Sequence, residues 1–204
     1  MIRRLLCLAG VLLATAVAGC ASAPLHYYTL VPATEASPED AGASAPLAFE
    51  LLPVSVPAQV DLPQLVVRQG GQGVALLDGE RWIAPLGDEL RGALSAELSR
   101  QLHGVDMSGM PAGDSPRLRI KLEVRRFESA PGAQAYIEGA WSVRAPRGKD
   151  SAVLACVSRV GESVGPGYAA LVEGHQRAVA RIAAQIAAAA RALSAGQTPS
   201  CPAA

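Results

Sequence analysis

The strict alternation of residues 118–125 constrains this chain more than any other feature. Leu118, Ile120, Leu122 and Val124 fall on one side of an extended strand, with Arg119, Lys121, Glu123 and Arg125 on the other. Such a strand has one dry face and one wet face, so the fold must cover the first and leave the second in water. The pattern slips at Arg126-Phe127, where a β-bulge would return Phe127 to the dry side. A second alternating run follows the loop 128–134, with Ala135, Ile137, Gly139, Trp141 and Val143 opposing Tyr136, Glu138, Ser142 and Arg144. Residues 152–160 supply a third run. Three successive strands with short loops predict an antiparallel meander.

Two helices are available to cover it. Pro85 to Leu102 is the first: Pro85 suits the opening helical position, Asp88 and Glu89 lie in the first turn, and Gly104 waits past the end as a stop. Leu86, Leu90, Leu94, Leu98 and Leu102 recur every fourth residue. At 100° per residue the leucines spread over about 160°, a face suited to a sheet. The second helix runs from 168 to 193, where Val172, Val179, Ile186 and Leu193 recur every seven residues, interleaved with His175, Ile182 and Ala189. A three-heptad seam allows a homo-oligomer; the plainer reading is a long helix lying on the same sheet. Upstream, residues 25–31, 48–56, 65–68 and 74–77 read as short strands. Pro53 limits the second to an edge or bulge, and Gly70, Gly71 and Gly73 turn the chain before the last. The segment 32–46 reads as a flexible loop and 194–204 as a disordered tail. The expected fold class is α+β, with a mixed, largely antiparallel sheet and two main helices packed on one face.

The N-terminus carries a different kind of information. Arg3 and Arg4 precede an apolar stretch of thirteen residues, Leu5 to Val17, and Val17-Ala-Gly-Cys20 closes it. Thirteen apolar residues are too few to cross a bilayer as a helix, which needs roughly 20. The tetrapeptide resembles the lipobox of bacterial lipoproteins. That resemblance implies a signal peptide at 1–19, a lipidated Cys20, and a short tether over 20–26 leading into one domain at 27–193. In Gram-negative lipoproteins an aspartate directly after the lipid cysteine favours inner-membrane retention, so by that resemblance Ala21 implies outer-membrane placement with the domain facing the periplasm; a Gram-positive surface lipoprotein is the alternative. The diacylglycerol and amide-linked chain that this resemblance implies anchor far more firmly than a single acyl chain.

Without Arg3 and Arg4 the chain has 16 basic and 18 acidic residues, a net of −2, which leaves no basic excess for nucleic acid. Cys7 falls in the signal and Cys20 at the anchor, so Cys156 and Cys201 remain. An oxidising compartment permits a bridge between them. The sequence reads more simply as a buried thiol in one strand and a loose thiol in the tail. Neither has a CxxC partner, and His26, His103 and His175 lack metal-ligand spacing, so no metal site is expected. There is no G-x-S-x-G and no phosphate loop, so no catalytic residue, nucleotide or other cofactor is expected.

Several fragments in one order resemble the ABC-type transport auxiliary lipoproteins of the PqiC (formerly YmbA) type. They are Tyr27-Tyr28-Thr29-Leu30 soon after the lipobox; Asp61-Leu62-Pro63-Gln64 leading to Arg68; Trp82 followed by Pro85-Leu86; Leu122 to Phe127; and Gly139-Ala140-Trp141. The resemblance implies an α+β domain that serves an MCE-type lipid transport system. In such a system it is an outer-membrane docking partner for the periplasmic MCE-domain protein, and the ATPase belongs to another subunit. These motif residues read as structural. A second class stays open: a periplasmic lipoprotein that activates a cell-wall synthase or assists outer-membrane assembly, as TolB-like or LptE-like domains do.

Overall fold

The three alternating runs form the body of the molecule. The computed structural model describes residues 24–33, 46–111, 117–147 and 150–202; the leader 1–19, Cys20 and most of the loop 32–46 lie outside the described residues. In chain order the elements are β1 (His26–Tyr28), β2 (Phe49–Leu51), β3 (Gln64–Arg68), β4 (Val74–Trp82) and α1 (Leu86–Leu102). Then come β5 (Leu118–Ala130), β6 (Gln134–Arg147), β7 (Asp150–Ser163) and α2 (Tyr168–Ser194). Strands β5, β6 and β7 pair antiparallel in sequence order. The register skips from Val124 to Arg126, so Arg125 is the bulged residue and Phe127 returns to the buried side.

The class is α+β, as the periodicity requires, but the strands divide between two sheets rather than one. A four-stranded sheet has the order β2-β5-β6-β7, with β2 parallel to β5. A three-stranded sheet has the order β1-β4-β3, with β1 parallel to β4. Strand β2 stops after Leu51, and the chain then makes only an isolated bridge, Ser55 to Glu123, along β5. Pro53 and Pro57 lack the N–H groups a longer ladder would need, which ends the strand early.

Helix α2 lies across the inner face of β6 and β7, and α1 lies beside it. All five leucines of α1 are buried. The heptad residues Val172, Val179, Ile186 and Leu193 are buried within the chain itself, with His175, Ile182 and Ala189. The seam is therefore spent on the domain's own core. Close approach is built in at Gly174, where a Cβ would sit 2.2 Å from Val164 Cγ1.

Three local expectations are corrected. Pro85 is the N-cap, with φ −51° and ψ 140°, rather than the first helical residue. The left-handed residue that ends α1 is His103, φ 49°, not Gly104. Glycine at 104 serves packing instead, because a Cβ there would lie 2.0 Å from the Leu47 carbonyl oxygen. Finally, Cys156 and Cys201 are joined in a disulfide, not left as a buried and a loose thiol. After α2 the chain returns along β7, bringing the two Cα atoms to 5.5 Å, within the usual range for a bridge. The tail at Cys201 is thereby pinned to the sheet's edge strand.

Candidate docking surfaces and the N-terminal cleft

The motif residues separate into three groups. Tyr27, Asp61, Pro63, Trp82 and Pro85 converge, with Leu62, Arg81, Ile83 and Ala84, on one open cleft of about 500 Å³. Parallel pairing of β1 with β4 sets Tyr27 opposite Arg81 and Tyr28 opposite Trp82. The Trp82 N–H donates to the Pro63 carbonyl at 2.8 Å, which draws the Asp61–Gln64 segment alongside.

Tyr28 and its neighbours are held by two carboxylates. Tyr28 Oη donates to Glu80 Oε2 at 2.7 Å, and His26 Nδ1 lies 3.0 Å from Glu80 Oε1. Burial, then the Glu80 hydrogen bond, push the Tyr28 phenol up to about 12. Burial alone would raise Glu80, but the bonds from Tyr28 and His26 outweigh it and hold its carboxyl below the ordinary value. One residue on, Thr29 Oγ1 and the Leu30 N–H both donate to Glu89 Oε2 at 2.7 Å. Glu89 is 4% exposed in the first turn of α1, where the helix dipole also favours an anion. The sequence marks Glu89 as a first-turn acid and gives Glu80 no distinction. Their partners lie more than fifty residues away, beyond any local pattern.

The remaining motif residues build the core and its seam. Trp82, Phe127 and Trp141 are 4, 6 and 2% exposed, so none offers a stacking platform. Trp82 meets Phe127 edge-on, centroids 6.1 Å apart, and Phe127 stacks on His175 at 4.0 Å, joining the two sheets and α2. Burial pushes His175 down to about 3. Its Nε2 meets Ser129 Oγ at 2.8 Å, and its Nδ1 has no partner among the described residues. Trp141 Nε1 donates to Ser158 Oγ at 2.7 Å. Gly139 leaves room for Leu122, whose Cδ1 would lie 2.8 Å from a Cβ. Gln64 opens β3, and Leu86 is fully buried in α1. Arg68 pairs with Glu128 at 2.9 Å, and Arg126 pairs with the same carboxylate at 2.7 Å. Arg126 foremost holds Glu128 below its ordinary value.

Among the described residues, none covers the outer face of the four-stranded sheet. Arg119 pairs with Glu50, Arg125 and Lys121 flank Glu123, and Arg159 pairs with Glu138. Between these charges Ala140, Ala155 and Val157 floor a groove of about 440 Å³, with Cys201 at its side. No three His, Cys, Asp or Glu side chains gather as metal ligands among the described residues.

The family of ABC-type transport auxiliary lipoprotein components matches residues 28–187, well over half of the chain. The chain belongs to that family. Among curated proteins none matches. Two crystal structures share the fold. One, of a protein described only as uncharacterized, has 20% identity and TM-score 0.63, covering 81% of this chain and 98% of that one. The other, of a Xanthomonas campestris protein, has 18% identity and TM-score 0.55, covering 85% and 97%. In this auxiliary lipoprotein the match opens at Tyr28, the residue clamped by Glu80, and runs through most of α2. No helix among the described residues is long and apolar enough to cross a membrane.

Proposed function

We propose that this auxiliary lipoprotein is the outer-membrane-anchored, periplasmic subunit of an MCE/ABC-type intermembrane lipid transport system. It works by binding: it docks the MCE-domain protein and so supports envelope integrity, while the ATP chemistry belongs to other subunits. The family match over 28–187 carries this reading. Cys20 closes Val17-Ala-Gly-Cys20 and supplies the anchor, with only residues 21–26 between it and Tyr27. Docking falls to the open sheet face, with Arg119, Arg125, Tyr136 and Arg159 around an apolar floor of Ala140, Ala155 and Val157. Alternating charge around a small apolar strip gives a partner both orientation and buried area.

A pull-down from detergent-solubilised membranes, read by mass spectrometry, tests the partner. An MCE-domain subunit should co-purify; a cell-wall synthase alone, with no MCE protein, would overturn the proposal. Cys20→Ser should leave the chain uncleaved or free of the outer membrane. Retention there after a high-salt wash would refute the anchor.

A further inference from the structure

Three large apolar side chains stand exposed around the start of β1 and the end of β4. Leu25, Tyr27 and Ile83 are 47, 54 and 62% exposed. Register sets Tyr27 beside Arg81, Ile83 follows the end of β4, and Leu25 directly precedes β1. Tyr27, Arg81 and Ile83 line the 500 Å³ cleft together with Leu62 and Pro63. The backbone beneath is fixed, because the Ile83 N–H donates to the Tyr28 carbonyl at 2.9 Å. Pro24 also lies here, against Gly79, where a Cβ would be 3.5 Å from the Pro24 carbonyl oxygen.

We propose that this face is a bilayer-contact surface, with Leu25, Tyr27 and Ile83 seated in the interfacial layer of the membrane that holds the anchor. The proposal rests on the lipidation of Cys20 put forward above. Pro24 lies four residues after Cys20, and an extended chain of that length reaches only about 14 Å at 3.3–3.6 Å per residue. Pro24 and the residues beside it are therefore held close to lipid, whereas a periplasmic partner approaches from elsewhere. The chemistry suits a membrane interface. A tyrosine places its ring among acyl chains and its hydroxyl among headgroups, and two aliphatic side chains beside it gain from burial. Arg81, whose Nε donates to the Asp78 carbonyl at 3.1 Å, stands at the rim within reach of lipid phosphate. Asp61 in the same cleft offsets that charge, so contact depends on apolar burial more than on salt.

The test uses the full acylated lipoprotein in vesicles of phosphatidylethanolamine and phosphatidylglycerol. A photo-crosslinking amino acid replaces Ile83, or Val153, which is 50% exposed on the open sheet face. Both sites are exposed, so an unchanged thermal transition verifies folding. Phospholipid adducts should form at Ile83 roughly tenfold more often than at Val153, the ratio that about 1.4 kcal/mol of preference gives. Equal or absent lipid adducts at Ile83 on vesicle-bound protein, or adducts there to a second protein, overturn the contact surface and leave the anchor intact. Failure of the acylated protein to float with the vesicles overturns the anchor, and this surface with it.

Discussion

Trp141 and Tyr28 are both aromatic residues within the family match, and they show two ways of holding a sheet. Trp141 is 2% exposed in strands of 13 and 14 residues, under a helix of 27. Tyr28 belongs to a strand of three residues and is held by a hydrogen bond to Glu80. In the four-stranded region, long alternating strands bury enough apolar surface to fix themselves, and the polar bonds inside merely satisfy what burial strands there. In the three-stranded region, polar side chains stitch short segments to distant elements: Tyr28 to Glu80, Thr29 and Leu30 to Glu89, Arg68 to Glu128. Apolar burial is non-directional, so it tolerates a strand that finds its place by periodicity alone. Directional bonds specify where a three-residue strand must sit.

Trp141→Ala tests that difference at its largest. It removes a large core side chain and the N–H that donates to Ser158 Oγ, which keeps its bond to Gln185, and should cost about 3–5 kcal/mol in urea unfolding. Loss of partner binding at unchanged stability would make Trp141 an interface residue instead. Reducing the Cys156–Cys201 bridge, which closes a separation of 45 residues, should cost about 2–4 kcal/mol. A midpoint unmoved by reductant would mean that α2 holds its end of the sheet without help from the tail.

Glu89→Ala addresses the stitched region, since it leaves the buried Leu30 N–H without an acceptor. A cost of about 1–3 kcal/mol is expected. Native-state hydrogen exchange should show residues 26–30 opening before β6 does. Uniform loss of protection in both sheets would mean that they unfold as one unit and that the distinction fails.

His175 sits at the joint between the regions. The unfolded chain takes up a proton on it below about 6.5, which the folded chain refuses until about 3. Stability is therefore complete above that window and falls as pH drops, by about 1.4 kcal/mol per unit where only the unfolded form is protonated. Glu80, Asp106 and Glu128 are all held below their ordinary values, so between pH 6.5 and 5 the slope belongs to His175. His175→Phe should flatten it; an unchanged slope would assign it elsewhere. The smallest effect is expected at Arg159→Ala. Its pair with Glu138 is surface-exposed on the arginine side, so stability should move by no more than about 0.5 kcal/mol. A larger loss would mean that the open face stabilises the sheet.

Most of the four-stranded region was legible in the sequence. The alternation of Leu118 to Val124 named its dry face, the slip at Arg126 located the bulge, and the leucines and heptad residues marked the helices that cover it. Strand and helix periods are properties of neighbouring residues, so they are written locally. The cleft was legible only in pieces: Tyr27, Asp61, Pro63, Trp82 and Pro85 stood out as motif residues, without any sign that they share one surface.

By itself, the sequence determined the class of fold, the buried and open faces of β5 and β6, the extent of both helices within a residue or two, and the absence of basic excess for nucleic acid. Tertiary structure alone decided that the strands divide into two sheets, that Glu80 and Glu89 clamp β1 and the residues after it, that Cys156 and Cys201 meet, and that Tyr27 and Ile83 line one cleft. The physical reason is sequence separation. Each of these depends on groups dozens of residues apart whose meeting costs loop-closure entropy, and that cost is met by the whole fold rather than by any local pattern.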